Sequence, residues 1–260
     1  MIITKKEFKE NRWKFVIFLL ILLITEIIVV YFYPAFKEMQ PDLNSKMIGM
    51  PKFLKELAQK QLSIITGYPA YLGSQWFEKN LKQFAVIFAI LLAMGCLAKE
   101  AENKTLELLL SKPISRTRVI LEKFITTCAG MFFITLIPSM IIYPLSLFWG
   151  RDINGLTMIQ LILGNIVTFS LAFVILSYTF FFSVLFNDQV KTAVGGIILT
   201  LVFWLFSLFK LTKNLSIFTH CNSMPLFLKG EMTWNEVYLL FSVGILFMLL
   251  SIYAFNRKDI

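Results

Sequence analysis

The chain has 260 residues, of which 57% are hydrophobic, 15% aromatic and only 16% charged. Soluble globular chains run at roughly 45–50% apolar and about 25% charged, and the apolar excess here is gathered into long runs, which excludes disorder, a disulfide scaffold and an ordinary soluble enzyme. The formal net charge is +9, but the basic residues stand singly among acids between apolar runs, an arrangement that suits membrane flanks and not a nucleic-acid surface. The composition therefore reads as an all-α membrane protein, one transmembrane domain over 1–260.

A helical span needs about 20 mainly apolar residues to cross roughly 30 Å of hydrocarbon. Six segments meet that requirement. Lys5, Lys6, Lys9, Arg12 and Lys14 open the chain as an interfacial helical segment over 1–14, and the first span follows over about 15–33. Basic residues ahead of an apolar core also describe a signal peptide. This run is too long for one, however, and Tyr31-Phe32-Tyr33-Pro34 offers no small-residue cleavage site, so the span reads as a retained anchor. Glu26 is the one acid within a span core, at a cost of about 2.5–3.5 kcal/mol on insertion scales. It is either a substrate-pathway or proton-linked residue, or a structural hydrogen bond to another helix.

The connection over 34–80 contains a short amphipathic helix starting at Pro51, with Phe53, Leu54, Leu57 and Leu62 on one side and lysines and Glu56 on the rest. It is expected to lie at the outer surface, as a gate or as a cap over the bundle. The second span covers about 81–97, where Ala85, Ala89 and Ala93 recur at a spacing that lets another helix approach closely, in this chain or a second one. The third covers about 125–149 and holds Pro138 and Pro144. The fourth, about 158–186, carries Gln160 and Asn165 as candidates for interhelical hydrogen bonds. The fifth, about 190–209, holds the Gly195-Gly196 pair, which with the prolines can permit kinks. The sixth covers about 237–255.

With the N-terminus in the cytoplasm, 14 of the lysines and arginines fall inside and 11 outside, many of the latter in the long first connection where charge counts for less. Trp76, Trp149, Trp204 and Trp234 then fall near the outer interface and Trp13 near the inner one. Both termini are thus expected in the cytoplasm of a plasma-membrane protein.

No catalytic, cofactor or metal site is legible on the chain. The near-match to a phosphate loop at Gly150-Arg151-Asp152-Ile153-Asn154-Gly155 continues as Leu156-Thr157 where lysine and a hydroxyl residue are required, so it reads as a turn. The single histidine, His220, stands beside Cys221 as a stray exposed pair with no carboxylate close in sequence. Cys96, Cys128 and Cys221 have no ligand spacing.

The connection between spans two and three is the informative one: Lys99-Glu100-Ala101-Glu102-Asn103-Lys104-Thr105-Leu106-Glu107-Leu108-Leu109-Leu110-Ser111-Lys112-Pro113-Ile114-Ser115-Arg116. A charged stretch leads into a one-to-two-turn helix with Leu106, Leu109 and Leu110 on a shared face. Asn103 or Thr105 can cap its start, and Pro113 prevents continuation past Lys112. Ser115 then caps a helix running through Arg116, Arg118 and Lys123 into the third span. The apolar face is either a docking knob for a soluble partner or an interfacial shield.

This stretch, with Lys123 after it, resembles the signature of the type-2 ABC exporter permeases, which read glutamate, a short gap, Gly-Thr-Leu-Glu, two leucines, a small residue, Pro-Val-Ser-Arg and a lysine shortly after. The chain departs from it with Lys104 in place of the glycine, a poorer residue for the turn, and Ile114 in place of the valine. The basic start with Glu7 and Trp13 is similar to the family's interfacial elbow helix, and Gly67-Tyr68-Pro69-Ala70-Tyr71-Leu72 resembles a segment before the second span in one bacterial branch.

The resemblance implies a six-span permease subunit without its own ATPase site, which exports a substrate while two copies of a separate ABC ATPase bind ATP and Mg. A second permease, identical or related, would complete the complex in the lipid bilayer. The loop becomes a cytoplasmic coupling helix. Leu106, Leu109 and Leu110 would make the apolar contact with the ATPase. Glu102, Thr105, Glu107, Pro113, Arg116 and Arg118 would shape and orient it. Glu26 and Asn165 remain the intramembrane polar positions. The alternative is an ion-gradient-driven secondary transporter or channel working through Glu26. That reading calls for more intramembrane charge and an inverted repeat, neither of which the sequence contains.

Overall fold

The computed structural model describes residues 2–38, 67–105 and 115–258. The outer amphipathic helix expected over 51–62 lies outside the described residues, as do Leu106, Glu107, Leu109, Leu110 and Pro113 of the loop. All regular structure among the described residues is helical, and six helices are long and apolar enough to cross a membrane.

The first crossing is α1 (Ile2–Tyr31), in which the basic N-terminal segment continues into the apolar span without a break. The second is composite: α2 (Tyr68–Leu72), a π-helical stretch (Gly73–Leu81), α3 (Lys82–Ala93) and, after a turn, α4 (Ala98–Glu102). Then come α5 (Arg116–Phe148), α6 (Met158–Leu185) and α7 (Gln189–Leu208). Two short helices, α8 (Ile217–His220) and α9 (Met224–Lys229), precede α10 (Trp234–Arg257). At about 1.5 Å per residue α5 is about 50 Å long and must project beyond the hydrocarbon core.

Helix starts are specified locally. Ser115 accepts from the Arg118 N–H (3.3 Å) at the head of α5, as the sequence predicts. Asp188 accepts from the Lys191 N–H (2.9 Å) at the head of α7. Thr157 and Gln160 form a capping box at the head of α6. Gln160 is thus occupied mainly with its own helix, though its amide also reaches the Leu226 carbonyl (3.4 Å).

The centre of the bundle is α6, against which α3, α5, α7 and α10 all pack. Its sequence is apolar all round, the pattern of a helix with no solvent-facing side. Because lipid tails are as apolar as leucine, helices in a bilayer gain little from burial alone and associate through close packing and hydrogen bonds. Two glycines supply the closeness. A Cβ on Gly244 of α10 would lie 2.4 Å from the Phe173 ring, and one on Gly196 of α7 would lie 2.8 Å from Thr179 Oγ1. Gly196 therefore serves contact with α6. Ala85, Ala89 and Ala93 are likewise buried within this one chain.

The second crossing departs from the expected bounds of 81–97 by starting more than a dozen residues earlier. Glu78, Lys79, Asn80 and Lys82 lower the hydropathy there, but the helix satisfies the two most buried of these charges. Lys82 pairs with Glu78 (3.0 Å), and Glu78 also accepts from the Ser223 hydroxyl (2.8 Å). Pro69 sits in the first turn, where a missing N–H costs nothing. Consequently Trp76 is no interfacial anchor. It is fully buried, its indole N–H donating to Ser139 (3.2 Å). Trp13, Trp204 and Trp234 are exposed, as anchors require.

At the same end of the bundle, the last carbonyls of α1 are capped from other elements. Tyr71 donates to the Val29 carbonyl (2.9 Å), and Arg151 donates to Val30 (3.2 Å) and Tyr31 (2.9 Å). A cation at a helix C-terminus is also favoured by the helix dipole.

Candidate functional site

The opposite end, where α1 begins and α10 finishes, holds both flanks of the loop singled out in the sequence. The chain leaves α3, turns, and is pinned to α6 by Ser183, whose hydroxyl accepts from the N–H groups of Leu97 (3.0 Å) and Ala98 (2.9 Å). The pin fixes the direction of α4 and turns Glu100 inward.

Glu100 meets Lys123, which stands two turns into α5 and is 1% exposed. The Lys123 ammonium pairs with Glu7 of α1 and with Glu100 (3.2 Å). Lys6 reaches Glu100 from outside (3.0 Å), and Glu10 bridges Lys6 (3.7 Å) and Lys99 (3.4 Å) at the surface. Each buried ion alone would cost several kcal/mol of desolvation, so these groups are tolerable only together. The network joins α1, α4 and α5 at a single point.

α4 ends in a Schellman arrangement: the Thr105 N–H donates to the Glu100 carbonyl (2.9 Å) and the Lys104 N–H to the Ala101 carbonyl (3.1 Å). Lys104 occupies the left-handed position with φ of 55°, the single non-glycine residue with positive φ among the described residues. Glycine is favoured at that position because it has no Cβ to clash with the following carbonyl. This gives a physical reason for the glycine at the corresponding place in the permease signature. The Thr105 hydroxyl also donates to the Glu100 carbonyl (3.3 Å), closing the helix behind it.

The remaining flank residues tie the loop to the other helix ends. Glu102 accepts from the Gln189 N–H (3.3 Å) and side-chain amide (3.0 Å) at the start of α7. Arg116 donates to the carbonyls of Lys258 (2.7 Å) and Phe255 (3.4 Å) at the end of α10. Lys258 in turn donates to the Val184 carbonyl (2.6 Å) at the end of α6. Arg118 behaves differently: it pairs with Glu122 of its own helix (2.8 Å). Of the site residues predicted from the sequence, the structure thus brings Glu102, Thr105 and Arg116 into one belt. Sequence reasoning assigned no role to Glu7, Glu100, Lys123 or Gln189. The available signal was the resemblance itself, which already included Glu7 in the basic start and Lys123 after the loop.

Glu26 and Asn165 are both fully buried, and their side chains have no hydrogen-bond partner among the described residues. The interhelical bond expected of Asn165 is thus not made among the described residues. His220 is not a stray exposed residue. Its ring pairs with Glu236 on α10 and with the Asn214 carbonyl (2.8 Å), while Cys221 is buried. The carboxylate escaped notice because it lies 16 residues away in sequence. Among the described residues no group of His, Cys, Asp and Glu could hold a metal ion.

Compared with known proteins, residues 1–260 match the profile of a family described as ABC-2 family transporter protein. A search of curated proteins returned no match.

Proposed function

The chain belongs to the ABC-2 family of transporter proteins, and on that premise we propose that it is the permease subunit of an ABC exporter whose 99–123 connection transmits ATP-driven motion from a separate ATPase. In this reading two ATPase copies carry ATP and Mg, and a second permease, identical or related, completes the complex. Both termini and the loop face the cytoplasm of the plasma membrane, and cargo moves outward by alternating access.

The observation that carries the reading is the belt at the base of the bundle. The entry flank of the loop is fixed to α1, α5, α6 and α7 through Glu100, Ser183 and Glu102. The exit flank is fixed to α10 through Arg116. A force applied to the loop therefore reaches the ends of the whole bundle instead of bending a free segment. Coupling further requires that the ATP-bound and ATP-free partners bind the two forms of the bundle with different affinity.

Leu109→Ala tests the role of the loop. Loss of a central interface anchor typically costs above about 2 kcal/mol. Co-purification of the ATPase should therefore weaken, or hydrolysis should uncouple from transport, while the permease inserts with unchanged thermal stability. A destabilised permease that still binds and couples its ATPase normally would overturn the docking role and leave a shielding helix.

A further inference from the structure

The connection between α7 and α10 is fastened to the bundle at His220, the last residue of α8 and the single histidine of the chain. Its ring lies between two acceptors. Nδ1 meets the Glu236 carboxylate in the first turn of α10, and Nε2 meets the Asn214 carbonyl (2.8 Å) in the 3-10 turn that follows α7. The ring is 16% exposed and Glu236 41%, so the pair exchanges protons with water.

A neutral imidazole has one N–H and one lone pair, whereas the cation has two N–H groups. A carbonyl oxygen can only accept, so Nε2 must hold a proton. The contact with Glu236 then requires another, on Nδ1 or on the carboxyl itself. The arrangement therefore binds one proton more than a neutral ring beside a carboxylate. Without that proton a ring lone pair faces an oxygen lone pair, and one of the two contacts is lost. The other charged groups on the elements around α8 are distant, exposed or paired. α6 carries no charged side chain, while α7 and α10 carry Lys191 and Arg257 at their far ends. Lys213, in the turn with Asn214, is exposed. Lys82 of α3, which reaches the Cys221 carbonyl, is paired with Glu78 (3.0 Å).

We propose that His220 and Glu236 form a proton-dependent clasp, which fastens the α7–α10 connection when the extra proton is bound and releases it as pH rises through about 5–8, the interval in which an imidazole changes charge. In the orientation proposed above, this end of the bundle faces outward and the clasp senses external pH. The ring contacts themselves do not depend on that orientation. With one histidine in the chain, no other imidazole contributes to the response.

Cys221, next to His220 and 1% exposed, reports release of the connection. The test uses the full chain purified in detergent, with Cys96→Ser and Cys128→Ser. Labelling of Cys221 by a thiol-reactive dye is compared with that in His220→Ala at each pH, so that the thiol's own ionisation cancels. At about pH 5.5 labelling should be about fivefold slower with His220 than without it, roughly the worth of one hydrogen bond, and the ratio should fall towards one at about pH 8. Glu236→Gln separates the clasp from a merely structural histidine. Its amide can donate to the Nδ1 lone pair of a neutral ring while Nε2–H keeps the Asn214 carbonyl. Protection in that variant, measured against Glu236→Gln/His220→Ala, should therefore persist across the whole pH range. A parent ratio that does not change with pH, or a Glu236→Gln ratio that falls as the parent's does, would overturn the proposal.

Discussion

Replacing Lys123 by methionine keeps most of the volume and removes the charge at the junction of α1, α4 and α5. Glu7 and Glu100, 4% and 7% exposed, would then face each other with only Lys6 as counter-ion, and Lys6 reaches Glu100 alone from a position 45% exposed. Removing one member of a buried ion cluster typically costs about 3–5 kcal/mol, because the remaining charges stay desolvated. Replacing all of them by apolar residues of similar volume is usually neutral or favourable, so Lys123→Met combined with Glu7→Met and Glu100→Met should recover most of the loss.

Cys96 provides a local reporter. It is buried, and its thiol contacts Thr127 (3.4 Å), one turn beyond Lys123. In a chain whose other two cysteines are serine, labelling of Cys96 by a thiol-reactive dye during heating should begin roughly 10 °C lower in Lys123→Met than in the parent. In the triple variant it should return close to the parent value. An unchanged midpoint for Lys123→Met, or a triple variant no better than the single one, would refute the argument that the cluster is held by mutual compensation.

Two other substitutions follow from the geometry. Lys104→Gly relieves a left-handed conformation that costs an L-residue about 1–2 kcal/mol, partly offset by the greater freedom of glycine when unfolded. The Thr105 amide, which closes the α4 terminus, should exchange its hydrogen about threefold more slowly, and faster exchange would show that the lysine side chain stabilises the turn. Glu26→Gln removes a carboxylate whose burial in a span costs about 2.5–3.5 kcal/mol while keeping its shape. The variant should express and melt at or above the parent temperature, and a lower melting point would reveal a partner specific to the carboxylate.

The spans were legible where apolar residues run unbroken, so α6, α7 and α10 begin and end within a few residues of the expected positions. The second crossing was not, because hydropathy registers Glu78 and Lys82 as exposed, while the fold pairs them with each other and with the chain around Ser223. Trp76 was misplaced for the same reason. Once the helix is extended back to Tyr68, a position taken for the interface becomes interior. At the base, the cap at Ser115 was readable because it depends on neighbours in sequence. The meeting of Glu7, Glu100 and Lys123 was not, because it depends on how three separate helices cross. Lys104 stands between these cases: the sequence marked it as a departure from glycine, and only the backbone gives the reason, a positive φ at a helix C-terminus.

The distribution of polar contacts also determines which helices must move together. α1 is bound to α5 at both ends. At the base Glu7 pairs with Lys123. At the far end Arg151, just past the end of α5, holds the carbonyls of Val30 and Tyr31. Between those points Phe15 is pressed against Gly130 at a distance no side chain could share. A displacement of α5 therefore carries α1 with it as one unit. The ties from the loop flanks to α7 and α10 are different in kind: single side chains, Glu102 and Arg116, reaching backbone or amide groups at helix ends. Such bonds to charged groups are worth about 1.5–3 kcal/mol each and less where water reaches them, whereas opening the buried Lys123 cluster costs about 3–5 kcal/mol. The base of the bundle thus combines one strong junction, between α1, α4 and α5, with weaker links to α7 and α10.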